Sequence, residues 1–157
     1  MIKRNFSLAR TETRTPDQEL EFITVADTCV LVYVDRDDQV LLVRQFRAIF
    51  GVETLELPGG SREANESEEE CAIREFREEA GIEVSAASSL GKAALSVGTS
   101  DEIVSIFLAR ESVQVAFAVP QLQCLRVPID ECLTLLSSQR VPDAKSMLGI
   151  ALALRQL

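Results

Sequence analysis

The chain has 157 residues, of which 46% are hydrophobic and 26% charged, as expected for one globular domain. A net charge of −9 disfavours nonspecific binding to nucleic acid or to an anionic membrane. Because the chain contains no histidine, Ser-His-Asp and Cys-His catalysis are excluded. No apolar run is long enough to span a bilayer and the N-terminus lacks the apolar core of a secretory signal, so we expect a cytoplasmic protein.

The first half of the chain is dominated by strand patterns. Residues 1–25 are expected to form an arm or edge strand, with 1–18 polar and irregular and LEFITVA as the first strand pattern. The β-branched runs CVLVYVD and QVLLVRQF flank the turn DRDD, residues 35–38, and are expected to form a hairpin. ETLELP predicts a short strand that ends just before Gly59 and Gly60.

Helices and strands alternate in the second half. Ser67 with Glu70 three residues later is a capping box and Gly81 is a stop signal, so a helix is predicted over Glu68–Ala80. LGKAAL, EIVSIFLAR and LQCLRVPI predict strands, and IDECLTLLSS predicts a helix. A last helix begins after the N-cap Asp143; it is apolar on most sides, so it is either deeply buried or partly in a subunit contact. This order predicts an α/β domain with a mixed sheet.

The helix after Ser67 concentrates acidic residues on one face. At 100° per residue, Glu75, Glu78 and Glu79 cluster, whereas Arg74 and Arg77 are predicted on another side. A separate stripe is predicted to face the core and consists of Ala72, Ile73, Phe76 and Ala80. The acidic face is either a solvated surface or a site for a hard cation such as Mg²⁺ or Mn²⁺.

The spacing around this helix resembles a known motif. Gly60, Glu66 and the run Arg74–Ile82 match every defined position of the Nudix box, G-x5-E-x7-R-E-U-x-E-E-x-G-U, where U is a bulky apolar residue. The resemblance implies a single-domain α/β/α sandwich over residues 26–157, with the box at 60–82. It also implies hydrolysis of a nucleoside diphosphate linked to another small molecule.

The same resemblance implies roles for individual residues. Glu75, Glu78, Glu79 and the carbonyl of Gly59 would bind Mg²⁺, with Mn²⁺ as an alternative, and Glu78 and Glu79 would serve catalysis. The supporting residues, which shape the loop and helix, would be Gly60, Glu66, Arg74 and Gly81.

Three further stretches resemble the ADP-ribose pyrophosphatase branch of the Nudix family. They are VRQFR before LELPGG, SDE at 100–102, and PDAKS at 142–146. The branch implies hydrolysis of ADP-ribose to AMP and ribose 5-phosphate, with Glu102 as general base or further metal ligand; an ordinary loop acid is the alternative. Members are often homodimers whose N-terminal strands exchange or complete the partner's site, which implies such an arm in residues 1–25; a frayed terminus plus an edge strand is the alternative.

The branch also implies which residues bind the substrate. Arg47 would contact the phosphates or the distal ribose, with a surface ion pair as the alternative reading, and Arg44 is assigned to the same function. Phe22, Phe46 and Phe50 are candidates for stacking on the base, and burial in the core is the alternative for each.

Two departures from the branch leave other substrates open. Val97 stands where the branch usually has a proline, and the chain contains no tryptophan. GDP-mannose, another nucleotide sugar, a dinucleotide or an oxidised deoxynucleotide are alternatives within the family. A module that binds a nucleotide without hydrolysing it is the alternative of another class.

Overall fold

A computed structural model describes residues 10–15, 18–110 and 121–157 of the chain. Its strands are β1 Arg10–Thr15, β2 Gln18–Phe22, β3 Thr28–Tyr33, β4 Gln39–Arg47, β5 Val52–Glu56, β6 Gly59–Ser61, β7 Ser88–Ala94, β8 Ile103–Ala109 and β9 Gln123–Pro128. Its helices are α1 Glu68–Ala80, α2 Ile129–Ser137 and α3 Ala144–Ala153. None of the helices in the described ranges has the length and hydropathy to cross a bilayer.

The central sheet is mixed, as the sequence predicts. Its strand order is β6-β3-β8-β7, in which β3 runs parallel to β8 and antiparallel to β6. A second, antiparallel sheet has the order β5-β4-β9, and β1 pairs with β2 in a separate ribbon. The parallel pair needs a long crossover, and α1 lies within the segment that supplies it.

Strand β3 separates two apolar layers. Val30, Val32 and Val34 pack into a cluster that includes Ile150 of α3 and Leu136 of α2. The alternate residues Cys29, Leu31 and Tyr33 face the other way, into a cluster formed with Cys71, Ala72, Phe76 and Ala80 of α1. Because successive strand side chains point to opposite faces, this alternation places helices on both sides of the sheet. The predicted α/β/α sandwich is confirmed.

The predicted hairpin between the second and third strand patterns is wrong. Strands β3 and β4 lie in different sheets and meet only at a bridge between Val34 and Val40. Strand β3 pairs with β6 and β8, and β4 pairs with β5 and β9, so the contact between β3 and β4 does not continue beyond this bridge as a ladder. The turn at DRDD is present, with the Asp35 carbonyl accepting from the Asp38 amide.

The N-terminal region also differs from the expectation. Residues 10–15 are not irregular, because they form β1 and pair with β2 in register from Arg10 opposite Phe22. The rest of the predicted arm, residues 1–9 and 16–17, lies outside the described residues.

The helix signals are confirmed in detail. The Ser67 hydroxyl accepts from the Glu70 amide at 3.2 Å and the Ser67 amide donates to the Glu70 carboxylate at 2.7 Å. Gly81 ends α1 in the left-handed conformation, with φ of 71°, where glycine carries no steric penalty. Asp143 caps α3 by accepting from the Ser146 amide at 2.9 Å. One face of α3 is buried within the domain, with Ile150 and Ala153 fully buried, whereas a subunit contact of its other side stays a prediction.

Candidate active site

Two carboxylates of α1 converge on the backbone of β6. The Glu79 carboxylate accepts a hydrogen bond from the Gly59 amide at 3.1 Å. The Glu75 carboxylate lies directly over Gly60, since a Cβ there would come within 2.4–2.5 Å of its three terminal atoms. Gly59 is equally restricted, because its Cβ would meet the carbonyl oxygen of Cys29 at 2.4 Å. The two glycines therefore allow α1 and β3 to approach β6 closely.

Glu79 is the most perturbed carboxyl of this group. Burial, with smaller contributions from the charges of Glu75 and Glu56, raises the pKa of Glu79 to about 7. The Gly59 amide and the charge of Arg47 act in the opposite direction, but they do not offset the loss of hydration. A cation close to this carboxylate would favour its ionised form.

Arg74 joins the acidic helix to the preceding loop. Its guanidinium donates to Glu66 at 3.0 and 2.8 Å, to Glu75 at 2.7 Å and to the Ser61 carbonyl at 3.2 Å. The hydrogen bond from Arg74, with further help from the Glu63 amide, lowers the pKa of Glu66 to about 2. The prediction that Arg74 lies away from the acidic face is wrong, because Arg74 is four residues before Glu78 and therefore lies beside that face, where it contacts Glu75 and Glu78.

The acidic residues supply the right donors for a hard cation but are not gathered around one point. Glu78 is 41% exposed and lies 3.7 Å from Arg74, whereas Glu75 faces Arg74 and Glu79 faces Gly59. Within the described residues, no group of three or more cysteines, aspartates or glutamates is close enough together to bind a metal. The donor chemistry fits Mg²⁺, since all the groups are carboxylates on one helix face beside a backbone cradle.

Glu102 lies beside this cluster but not within it. Its carboxylate accepts from the Thr28 hydroxyl at 2.6 Å, and its amide donates to the Ser100 hydroxyl at 3.2 Å. Thr28 is paired in register with Ser61, the residue after Gly60. Glu102 is therefore at the same end of β3 as the two glycines.

Of the predicted substrate-binding residues, Arg44, Phe46 and Arg47 lie on the β4–β5 ribbon, on two faces of it, whereas Phe22 lies at the end of β2. Arg47 donates from both Nε and Nη2 to the carboxylate of Glu56, which is only 5% exposed. Arg44 lies on the other face and pairs with Glu53. Phe46 and Phe50 are 63% and 56% exposed, so their alternative reading as core residues is wrong.

Sequence reasoning missed two buried polar residues on this ribbon. Glu56 and Thr54 are 5% and 3% exposed, and the Thr54 hydroxyl donates to the Glu56 carboxylate at 2.6 Å. The alternation of ETLELP contains the signal, because Leu55 and Leu57 face the core and leave Thr54 and Glu56 together on the opposite face.

Comparison with known proteins identifies the family. The model of the NUDIX domain matches residues 24–141. The chain belongs to the Nudix family. It is a Nudix pyrophosphohydrolase, of a class that acts on nucleoside diphosphate derivatives, and the predicted resemblance to the ADP-ribose pyrophosphatase branch is confirmed.

Individual relatives agree with this assignment. The chain is 29% identical over 136 residues to an ADP-ribose pyrophosphatase of Bacillus subtilis, covering 83% of this chain and 73% of that protein. It is 28% identical over 131 residues to a GDP-mannose pyrophosphatase of Yersinia enterocolitica, covering 76% and 68%. The crystal structure of an ADP compounds hydrolase superimposes with a TM-score of 0.75 over 95% of this chain and 91% of that one. At 19% identity, that structure supports the fold alone.

Proposed function

We propose that the protein hydrolyses the diphosphate of ADP-ribose to AMP and ribose 5-phosphate in the presence of Mg²⁺. The observation that carries this proposal is the convergence of Glu75 and Glu79 on the backbone of Gly59 and Gly60. The similarity to an ADP-ribose pyrophosphatase over most of both chains supports ADP-ribose as the substrate. Mn²⁺ is the alternative metal.

In this proposal the metal would be held by Glu75, Glu78, Glu79 and the carbonyl of Gly59. A divalent cation bound there would neutralise the diphosphate and lower the pKa of the attacking water. Water adds across one phosphorus–oxygen bond of the diphosphate, so that one phosphate gains the hydroxyl and the other leaves with the bridging oxygen.

The remaining residues of the site position the substrate and move a proton. Arg74 and Glu66 keep the loop and the start of the box in place against α1. Arg47 binds a phosphate or the distal ribose, and Phe46 is sufficiently exposed to stack on the base. Glu102 accepts the proton of the attacking water, since a carboxylate is the available base in a chain without histidine.

A product assay tests the proposal. The purified protein is incubated with Mg²⁺ and, separately, ADP-ribose, GDP-mannose, ADP-glucose, NADH, diadenosine polyphosphates and oxidised dGTP, and products are measured by mass spectrometry. We expect AMP and ribose 5-phosphate to form fastest from ADP-ribose, and chelation with EDTA to stop turnover. Fast turnover of another compound with ADP-ribose inert would overturn the substrate while leaving the family intact.

GDP-mannose is the second candidate substrate. The sequence identity to the GDP-mannose pyrophosphatase is 28%, against 29% to the ADP-ribose pyrophosphatase. Val97, which replaces the usual proline of the ADP-ribose branch, is 87% exposed in the loop that leads to Glu102. Formation of GMP and mannose 1-phosphate in the same assay would favour this candidate.

The assembly and location of the protein remain predictions from the sequence. A homodimer with residues 1–25 at the contact predicts a sedimentation mass near twice that of the chain. A monomer at micromolar concentration would contradict it. A cytoplasmic location is predicted in the same way.

A further inference from the structure

The face of the second sheet that packs on α1 changes from apolar to polar along its length. Val43 of β4 belongs to the apolar cluster of α1, and Arg47 continues the same face four residues later. Thr54 and Glu56 of β5 are in register with Gln45 and Val43, so they share this face. On this face, the apolar contact with α1 is therefore followed by polar residues toward the Arg47 end of β4.

The two β5 residues on this surface are more buried than polar residues usually are. Thr54 is 3% exposed and Glu56 is 5% exposed. A buried carboxylate is costly unless it is paired and hydrogen-bonded. One oxygen of Glu56 accepts from Arg47 Nε and from the Thr54 hydroxyl, both at 2.6 Å, and the other accepts from Arg47 Nη2. The guanidinium is thus held at two nitrogens, and its partner is held by a third residue.

Arg47 lies at the edge of the acidic site rather than in a closed ion pair. Its side chain is 32% exposed, and the charges of Asp143 at the start of α3 and Glu79 of α1 act on it in addition to Glu56. Glu56 therefore fixes the position of the Arg47 guanidinium, while part of the Arg47 side chain remains accessible to a ligand.

We propose that Glu56, braced by Thr54, is a positioning residue that holds Arg47 as a rigid diphosphate-binding cation. This inference rests on the proposed function and deepens it, since Arg47 is the residue there assigned to the phosphates. A planar guanidinium matches the geometry of phosphate oxygens, and a guanidinium that is already immobilised loses little rotamer freedom when the ligand arrives.

The chain contains a matched control on the same two strands. Arg44 and Glu53 form an ion pair on the opposite face, with a single contact at 3.4 Å. Their side chains are 39% and 58% exposed, so the carboxylate of this pair is solvated, whereas that of Glu56 is buried. Because Arg44 and Glu53 lie on the face away from Arg47, Glu53→Gln makes the same chemical change as Glu56→Gln without altering the partner of Arg47.

Calorimetric titration with inorganic pyrophosphate, in the presence of Mg²⁺, measures the binding affinity that this positioning of Arg47 should affect, without turnover of a nucleotide. Loss of a hydrogen bond to a charged group is expected to weaken pyrophosphate binding about tenfold in Glu56→Gln. Thr54→Val should weaken binding, whereas Thr54→Ser, which keeps the hydroxyl, and Glu53→Gln should bind as the wild type does. With the nucleotide substrate, KM should rise in the same order while kcat changes less.

Two further outcomes decide the inference. In an Arg47→Ala background, Glu56→Gln should cause no additional loss, because Glu56 acts through Arg47. An equal loss with and without Arg47, unchanged binding in Glu56→Gln, or no binding of pyrophosphate by the wild type would overturn it. If the predicted order of pyrophosphate affinities is found but no nucleotide is hydrolysed, the proposed function fails and the positioning role of Glu56 stands.

Discussion

Replacement of Gly60 with alanine should inactivate the enzyme while leaving it folded. The new Cβ would lie 2.4 Å from the carboxylate carbon of Glu75, where ordinary contact begins at 3.4 Å, so the carboxylate must move by about 1 Å. A displacement of about 1 Å in a catalytic constellation costs about 100-fold in rate. The φ of Gly60 is not in the left-handed region, so alanine introduces no backbone strain there.

The neighbouring glycine supplies a contrast for this experiment. In Gly59→Ala the Cβ meets the backbone of β3 rather than the end of a flexible side chain, so the cost falls on stability, about 1–3 kcal/mol. Steady-state kinetics with ADP-ribose and thermal unfolding, measured on both variants, should show Gly60→Ala losing activity and Gly59→Ala losing stability.

A double-mutant cycle decides whether the alanine acts through Glu75. In a Glu75→Ala background the obstructed carboxylate is gone, so adding Gly60→Ala should reduce kcat no further. Near wild-type activity in Gly60→Ala alone, or an equal loss in both backgrounds, would refute the reasoning.

Three other predictions follow from the site. Glu79→Gln should lower kcat by orders of magnitude with little change in unfolding temperature, and near-normal turnover would remove the role assigned to Glu79. Glu66→Gln should lose about 1–2 kcal/mol of stability above pH 5, after allowance for solvent screening. Because the pKa of Glu66 in the folded protein is depressed from 4.5 to about 2, the stability difference from the wild type should fade as the pH drops through that interval. Urea titrations at several pH values would measure this difference. Ser146→Ala should cost about 1–3 kcal/mol in urea unfolding, because the buried Ser146 hydroxyl accepts from the Leu57 amide at 2.7 Å and that amide would lose its partner, whereas an unchanged unfolding midpoint would show that water replaces it.

The identity of the family and much of the site could be predicted from the sequence because their determinants are local. The capping box at Ser67 and the stop at Gly81 set the bounds of α1 within a few residues of chain. Given the helix, its 100° period decides that Glu75, Glu78 and Glu79 share a face. The glycine at position 60 could likewise be predicted from the motif. The reason for it, its close contact with the Glu75 carboxylate, is visible only in the fold.

What the tertiary structure alone decided is which distant groups meet. That β3 pairs with β6 and β8 rather than with β4 depends on segments distant in the chain, which no local pattern contains. The reach of Arg74 to Glu66 and the burial of Glu56 beneath Arg47 depend in the same way on packing between separate elements. Local hydrogen bonds and periodicity therefore determined the acidic helix α1, whereas close packing of nonlocal segments determined how its charged side chains are held.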